Sequence, residues 1–478
     1  MKIFILNTLI TLYTLLYTGT CISANNNNNR QLFATRPVLR PPIGDNYVNT
    51  LPDNWFDQRV DHFNTSDIRT FKQRYFINYK YYKTGGPVFL MLDGESEASD
   101  FFITQGGVAK YAEKFNAMTV DLEHRFYGKS MPTEDLSTEN LRYLSIKQAL
   151  KDTEQFIDYL NKKLSLINTK WIVFGGSYAG ALAALFREKY PHSVAGAVAS
   201  SATVNSIYDC KQYFGVVSQS LGSECSKQIS LAVHQLEDQM KSIKGWQTIG
   251  KQFNLCQPLD GTDPGSVHQM LYSLAIPFAV AAQYNGTTDL GIRQVCAVMT
   301  NYTSMTPLDR YAKVQSLFLR GQCLDCDYNK YVKRMKNTTS DVQSMARQWI
   351  YTTCSEIGDF TTTSLPGSPF GHNLTVDGFV KHCTDIYGPE FTAQSIQRAV
   401  DDHNANYGGA KPNLTNVVFP NGSLDPWSVL SVLHDLNNST RAVFIEGTSH
   451  GSDMMAEQPT DPRVLIDARK TIEKQLSS

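Results

Sequence analysis

Apolar positions along this chain follow two rhythms. Residues 88–92, 117–122, 171–174 and 194–199 are short apolar runs, and 70–78 is rich in aromatic and β-favouring residues. Each is too short for a helix and reads as a strand. Between them, Ile146, Ala149, Leu150, Phe156, Ile157, Leu160 and Leu164 recur at helical spacing behind a Ser145-x-x-Gln148 capping box. Residues 179–189 read as a second helix. Strands alternating with helices predict a parallel sheet covered on both faces. The rhythm stops at about 206 and returns at about 405, with strands over 416–419 and 441–445. Pro462 then opens a last helix with Val464, Leu465, Ala468, Ile472 and Leu476 on its apolar face.

The interrupted rhythm divides the chain. Lys2, an apolar run to about Tyr17 and small residues to Ala24 read as a signal peptide, 1–24. Residues 25–54 open on an Asn run and read as a disordered leader or propeptide. The α/β core occupies 55–205 and 405–478. Residues 206–404 form a helical cap inserted between its halves. Past Cys21 the chain has eight cysteines, all between 210 and 383. An even number in a secreted chain predicts four disulfides within the cap, with the pairing open.

Composition narrows the function. In 478 residues the net charge is −1, which leaves no field for nucleic acid. After the signal peptide no stretch reaches the length of a membrane span. Asn-x-Ser/Thr acceptors at Asn64, Asn285, Asn301, Asn337, Asn373, Asn413 and Asn438 predict a glycoprotein of the secretory pathway, secreted or lysosomal. A further match at Asn421 adjoins the chemistry below and is not counted. A homodimer is left open by the sequence.

The chemistry begins at Gly175-Gly176-Ser177-Tyr178-Ala179-Gly180, between a strand and a helix. A serine there sits on a sharp turn with its hydroxyl above the sheet, and the Tyr178 N–H points where an oxyanion forms. The nucleophile needs a base and the base an orienter, in the chain order Ser, Asp, His on this fold. Asp425 follows the strand at 416–419, and His450 follows the strand at 441–445. The loop after Leu92 completes the oxyanion hole, at Glu95. The Glu95 carboxylate reads either as a solvated loop acid or as a ligand for a substrate α-amine. No metal or cofactor is required.

The segments Gln58–Phe63, Thr70–Tyr75, Glu123–Gly128, the Ser177 elbow, Asn421–Trp427 and Gly447–His450 together resemble one family. It is the secreted and lysosomal serine peptidase family that contains lysosomal Pro-X carboxypeptidase, dipeptidyl peptidase II and thymus-specific serine protease. The resemblance implies an α/β-hydrolase core with a disulfide-bearing helical cap, catalysis by Ser177, Asp425 and His450, and exopeptidase action on short peptides, often after proline. It also implies that Trp427 walls the pocket for the residue before the scissile bond. Two departures stand out. The loop reads Asp93-Gly94-Glu95-Ser96-Glu97 where a second glycine is expected, and Gly451-Ser452-Asp453-Met454 differs from the flank of the proline-specific members. Other readings of the scaffold are a secreted lipase or esterase and a non-catalytic binding glycoprotein.

Overall fold

A computed structural model describes residues 47–302, 304–340 and 345–477. The expected signal peptide lies outside the described residues, as does the leader up to residue 46. The rest of that leader is held down: the Tyr47 hydroxyl and the Thr50 and Leu51 N–H groups donate to the Asp100 carboxylate at 2.6–2.7 Å.

The strands of the main sheet are β1 (Asn54–Arg59), β2 (Thr70–Asn78), β3 (Val88–Leu92), β4 (Met118–Leu122), β5 (Trp171–Gly176) and β6 (Gly196–Ser200). A two-stranded pair, β7 (Ile207–Asp209) with β8 (Gly358–Phe360), lies apart, and β9 (Val417–Gly422) and β10 (Thr440–Ile445) complete the main sheet. Its order is β1-β2-β4-β3-β5-β6-β9-β10. The β1–β2 and β2–β4 pairs are antiparallel, and every later pair is parallel. The architecture is an α/β-hydrolase core.

Side-chain alternation explains why both faces are apolar. Val88, Leu90 and Leu92 pack with Phe156 and Leu160 of helix α2 (Ile146–Lys163) and Leu182 of helix α3 (Tyr178–Lys189). Phe89 and Met91 face the other way, onto Val108 and Ala112 of helix α1 (Gly107–Phe115). The capping box forms by half. The Ser145 hydroxyl accepts from the Gln148 N–H. The Gln148 amide, however, accepts from the His62 N–H and donates to Asp61, because those groups belong to the strand-end loop packed against the helix start.

Between β6 and β9 the chain forms the helical cap, whose longest helix is α4 (Pro264–Gln283). Three disulfides staple this region, Cys225–Cys296, Cys256–Cys323 and Cys354–Cys383. Among the described residues the expected fourth bridge is not formed. Cys210 and Cys326 are buried outside these bridges, packed into the cap core as small apolar groups. The closing helix α5 (Arg463–Leu476) buries Leu465, Ala468 and Ile472, but Val464 is 45% exposed. It lies one residue before Leu465, and that single step, about 100° around the helix, carries it out of the apolar stripe.

Candidate active site

Three loops meet at the carboxyl end of the parallel strands. The first is the turn after β5. Ser177 holds φ 62° and ψ −128°, a backbone state a non-glycine residue adopts only when its surroundings enforce it. Enforcement comes from both sides. The Ser177 N–H donates to Ser200 O at 2.9 Å, and a side chain at Gly175 would collide with the Ala179 carbonyl. Tyr178 starts α3, so its N–H has no carbonyl one turn back within the helix.

The second loop follows β9. Asp425 caps the short helix Pro426–Leu430, its Oδ1 accepting the Trp427 N–H at 3.0 Å. Its Oδ2 lies 2.7 Å from Nδ1 of His450, which sits on the third loop, after β10. Asp425 and His450 are 0% and 1% exposed, and Ser177 is 1% exposed. Ser177 Oγ and His450 Nε2 are both buried with no hydrogen-bond partner. The divergent flank after His450 is firmly held. Gly451 N–H donates to Ser201 Oγ, Asp453 accepts from Ser200 Oγ, and Arg469 donates to the Asp453 and Ser452 carbonyls.

The loop after β3 closes over the elbow. A Cβ on Gly94 would stand 3.4 Å from the Ala179 nitrogen and 3.5 Å from the Tyr178 ring. Glu95 is 5% exposed, which overturns its reading as a solvated acid, and its Oε1 has no hydrogen-bond partner. Burial raises the Tyr127 and Tyr178 hydroxyls, and the Glu95 charge adds to both. This loop is tied down by Glu123, whose carboxylate accepts from the Ala98 and Lys129 N–H groups and the Ser130 hydroxyl and pairs with Arg74. Gly128 has φ 56° and leaves room for that carboxylate. The Glu123–Gly128 segment therefore supports the site from below. Arg125 grips Asp152 through two bonds of 2.6 Å, and His62 meets the same carboxylate at 2.6 Å. Burial pushes the neighbouring His124 down to about 4.

The cap supplies what the sequence reading missed. Gln283, the last residue of α4, accepts the His450 N–H on its carbonyl at 3.0 Å. Its side-chain oxygen accepts from Trp427 Nε1 at 3.0 Å and from the Tyr213 hydroxyl at 3.3 Å. Asn285 O accepts from the Ser449 hydroxyl at 3.0 Å. Trp349 packs edge-on to the Tyr178 ring, with centroids 5.5 Å apart. A glutamine ending a run of apolar helical positions was the only signal for Gln283 in the sequence. Among the described residues no group of three or more His, Cys, Asp or Glu is placed to hold a metal ion.

Comparison with known proteins puts this arrangement in context. The family described as Serine carboxypeptidase S28 matches residues 58–472. Human thymus-specific serine protease is 34% identical, over 89% of this chain and 86% of its own. The mouse protein of that name is 35% identical, over 93% and 91%. Human lysosomal Pro-X carboxypeptidase is 29% identical, over 91% and 88%. Among solved structures, proline iminopeptidase of Mycobacterium smegmatis matches with a TM-score of 0.35 at 10% identity, over 89% of this chain and 99% of that one. A soluble variant of monoglyceride lipase from Saccharomyces cerevisiae gives 0.36 at 11%, over 91% and 95%. The protein is a serine-type peptidase on an α/β-hydrolase core. More narrowly, the chain belongs to the serine carboxypeptidase S28 family.

Proposed function

We propose that the chain is a serine exopeptidase that hydrolyses short peptides through Ser177, Asp425 and His450. The observation that carries this is the buried 2.7 Å contact of Asp425 with His450, beside a serine held in a strained turn. His450 Nε2 takes the Ser177 proton as Oγ attacks the peptide carbonyl, and then gives it to the leaving amine. Asp425 fixes the ring with Nδ1–H inward and stabilises the imidazolium. The Tyr178 and Glu95 N–H groups receive the oxyanion. Water, activated by the same histidine, hydrolyses the acyl-enzyme. Ser177 Oγ and His450 Nε2 make no hydrogen bond before substrate arrives, as is common in unliganded sites.

Burial under the cap favours chain ends over folded proteins as substrates. The unpartnered Glu95 oxygen supports the reading of that carboxylate as a ligand for a substrate α-amine, the dipeptidyl peptidase arrangement. Trp427, buried on the Asp425 loop, is assigned to the wall of the pocket for the residue before the scissile bond. Family membership favours a peptidase over a lipase or a binding glycoprotein. Three disulfides support passage through the secretory pathway, and no helix among the described residues is long and apolar enough to cross a membrane.

The test is a pair of reporters run with wild type and Ser177→Ala. One is a free-amine Xaa-Pro chromogenic amide; the other is an N-blocked Pro-Xaa peptide with a free carboxylate. Cleavage of the first alone assigns a dipeptidyl peptidase, and cleavage of the second alone a carboxypeptidase. If neither is cut but a fluorophosphonate labels Ser177, the proline preference falls and the enzyme remains. No label on Ser177 overturns the proposal.

A further inference from the structure

On the sheet face covered by α1, two carboxyls meet at the root of the loop that carries Glu95. Asp121 stands in β4 between Phe76 of β2 and Met91 of β3, in an apolar row, and is 0% exposed. The fold by itself would accept a valine or leucine there. Neither Asp121 oxygen meets an N–H or a hydroxyl. Asp93 is the first residue past β3. Its N–H donates to Leu122 O at 3.1 Å, which sets it one pleat beyond Met91, on the same face and diagonal to Asp121. The two carboxyls are hydrogen-bonded to each other, and Asp93 Oδ2 likewise meets no N–H or hydroxyl. A hydrogen bond between two carboxyls needs a proton held by one of them.

The cations nearby are committed elsewhere. Arg74 of β2 acts on both carboxyls, but it pairs with Glu123, Glu97 and Asp53. The segment over this face brings Asp100, held by Tyr47, Thr50 and Leu51, and Tyr111 of α1, stacked on Phe174. Toward the other face, a void of about 10 Å³ beside Asp93 is lined by His124 and by the Arg125–Asp152 pair. Two carboxyls in contact in a dry setting cannot both ionise. Burial pushes both upward, and the Asp93 charge pushes Asp121 further. The pair therefore keeps its protons in acid and sheds them as pH climbs through neutrality and beyond.

Glu95, whose N–H is assigned to the oxyanion, lies two residues past Asp93. Beyond it the Ala98 N–H donates to Glu123, which ties the far end of the loop. The side-chain tie at the near end is the carboxyl pair. We infer that Asp93 and Asp121 are positioning residues for this reaction: a proton held between them pins the loop that brings the Glu95 N–H to the oxyanion, and the site loses that donor when the proton leaves. The inference rests on the peptidase reading above and deepens it, because it confines full activity to acidic and neutral surroundings.

Labelling of Ser177 by a side-chainless fluorophosphonate tests this without a choice of peptide. Ser177 Oγ bonds to phosphorus, fluoride leaves and His450 takes the serine proton, while the phosphoryl oxygen draws on the same N–H donors. The full chain would be labelled from acid to alkaline pH, with tryptophan fluorescence recording that it stays folded. The rate rises from acid pH as neutral His450 becomes available, whatever the pair does. In the wild type a fall of roughly tenfold or more is expected from neutral pH to about pH 9.5, within the roughly 10²–10³ that one oxyanion donor is worth. Asp121→Asn supplies an amide N–H that binds Asp93 at any pH, so the alkaline fall should vanish while the acid limb stays. Asp93→Asn makes the same exchange from the other side and is the second variant should the first not fold. A wild-type rate that stays level above neutral pH overturns the positioning role alone. So does an alkaline fall that persists in a folded variant, or a variant slowed equally at every pH, which marks a purely structural pair. No labelling of the wild type at any pH overturns the peptidase reading and the inference with it.

Discussion

The main-chain carbonyl of Gln283 accepts the N–H of His450 at 3.0 Å, so the end of a cap helix holds the loop that carries the proposed base. Through its side chain the same residue also holds Trp427, two positions from Asp425. Base and orienter are thus registered against one residue of the cap. Gln283→Leu removes the side-chain acceptor and leaves the main-chain one. The expected outcome is a fall in kcat of roughly tenfold, the loss of about one or two hydrogen bonds that position the site. Steady-state kinetics checks it. A lowered urea midpoint with unchanged kcat would reduce Gln283 to a packing role.

Asp425→Asn preserves shape and removes the charge that orients His450. A drop in kcat of about 10⁴ is expected, because the imidazole then favours the wrong tautomer. Ser177→Ala loses activity at least as severely, and only this variant loses covalent labelling by fluorophosphonate altogether. Activity of Asp425→Asn within tenfold of wild type would remove Asp425 from the mechanism.

The Arg125–Asp152 pair is structural. Both residues are essentially inaccessible, and Arg125 also donates to the Val60 and Tyr143 carbonyls. Arg125→Met leaves the buried Asp152 carboxylate with His62 alone and strands those carbonyls. It should destabilise the fold by about 3–5 kcal/mol. Urea unfolding checks this, and a loss under 1 kcal/mol contradicts it.

Glu356 gives a pH-dependent contribution. It accepts the Ile146 N–H at the start of α2, and burial pushes its carboxyl up from 4.5 to about 7. Between those values the folded chain binds more protons at this group than the unfolded chain. Its contribution is therefore complete below about 4.5 and is lost as pH rises through about 7. Relative to Glu356→Gln, the wild type should lose stability between pH 4.5 and 7.5. Urea midpoints at the two pH values measure the difference, and parallel behaviour of the two proteins excludes the effect.

Asn64, Asn301, Asn337, Asn373, Asn413 and Asn438 are exposed, and Asn285 is half-buried with its Oδ1 accepting from Ile292. Asn421 is 1% exposed and bonded to the Phe419 and Val432 carbonyls. Protein from a secretory host should carry glycans at the exposed group and none at Asn421. Glycosidase treatment in oxygen-18 water, which leaves one heavy oxygen in each Asp formed from a glycosylated Asn, followed by peptide mass mapping reads each position.

What the sequence determined was local and periodic. The strand–turn–helix at Ser177, the order of Ser177, Asp425 and His450, and the alternation of the core were legible because a sharp turn and a buried sheet each need particular residues at fixed spacing. Sequence spacing also marked the cap, but not its pairing. Cys210 and Cys326 are packed in the cap core outside the bridges, an outcome that depends on where helices dock. Gln148 was misread, and the two readings of Glu95 stayed open, because their partners and burial come from segments distant in the chain. Gln283 carried no motif at all. Its importance comes from a cap helix folded back over the strand ends, which places it against the His450 loop. Local preference wrote the elements and their chemistry. Only long-range packing decided which polar groups would share a dry, confined space.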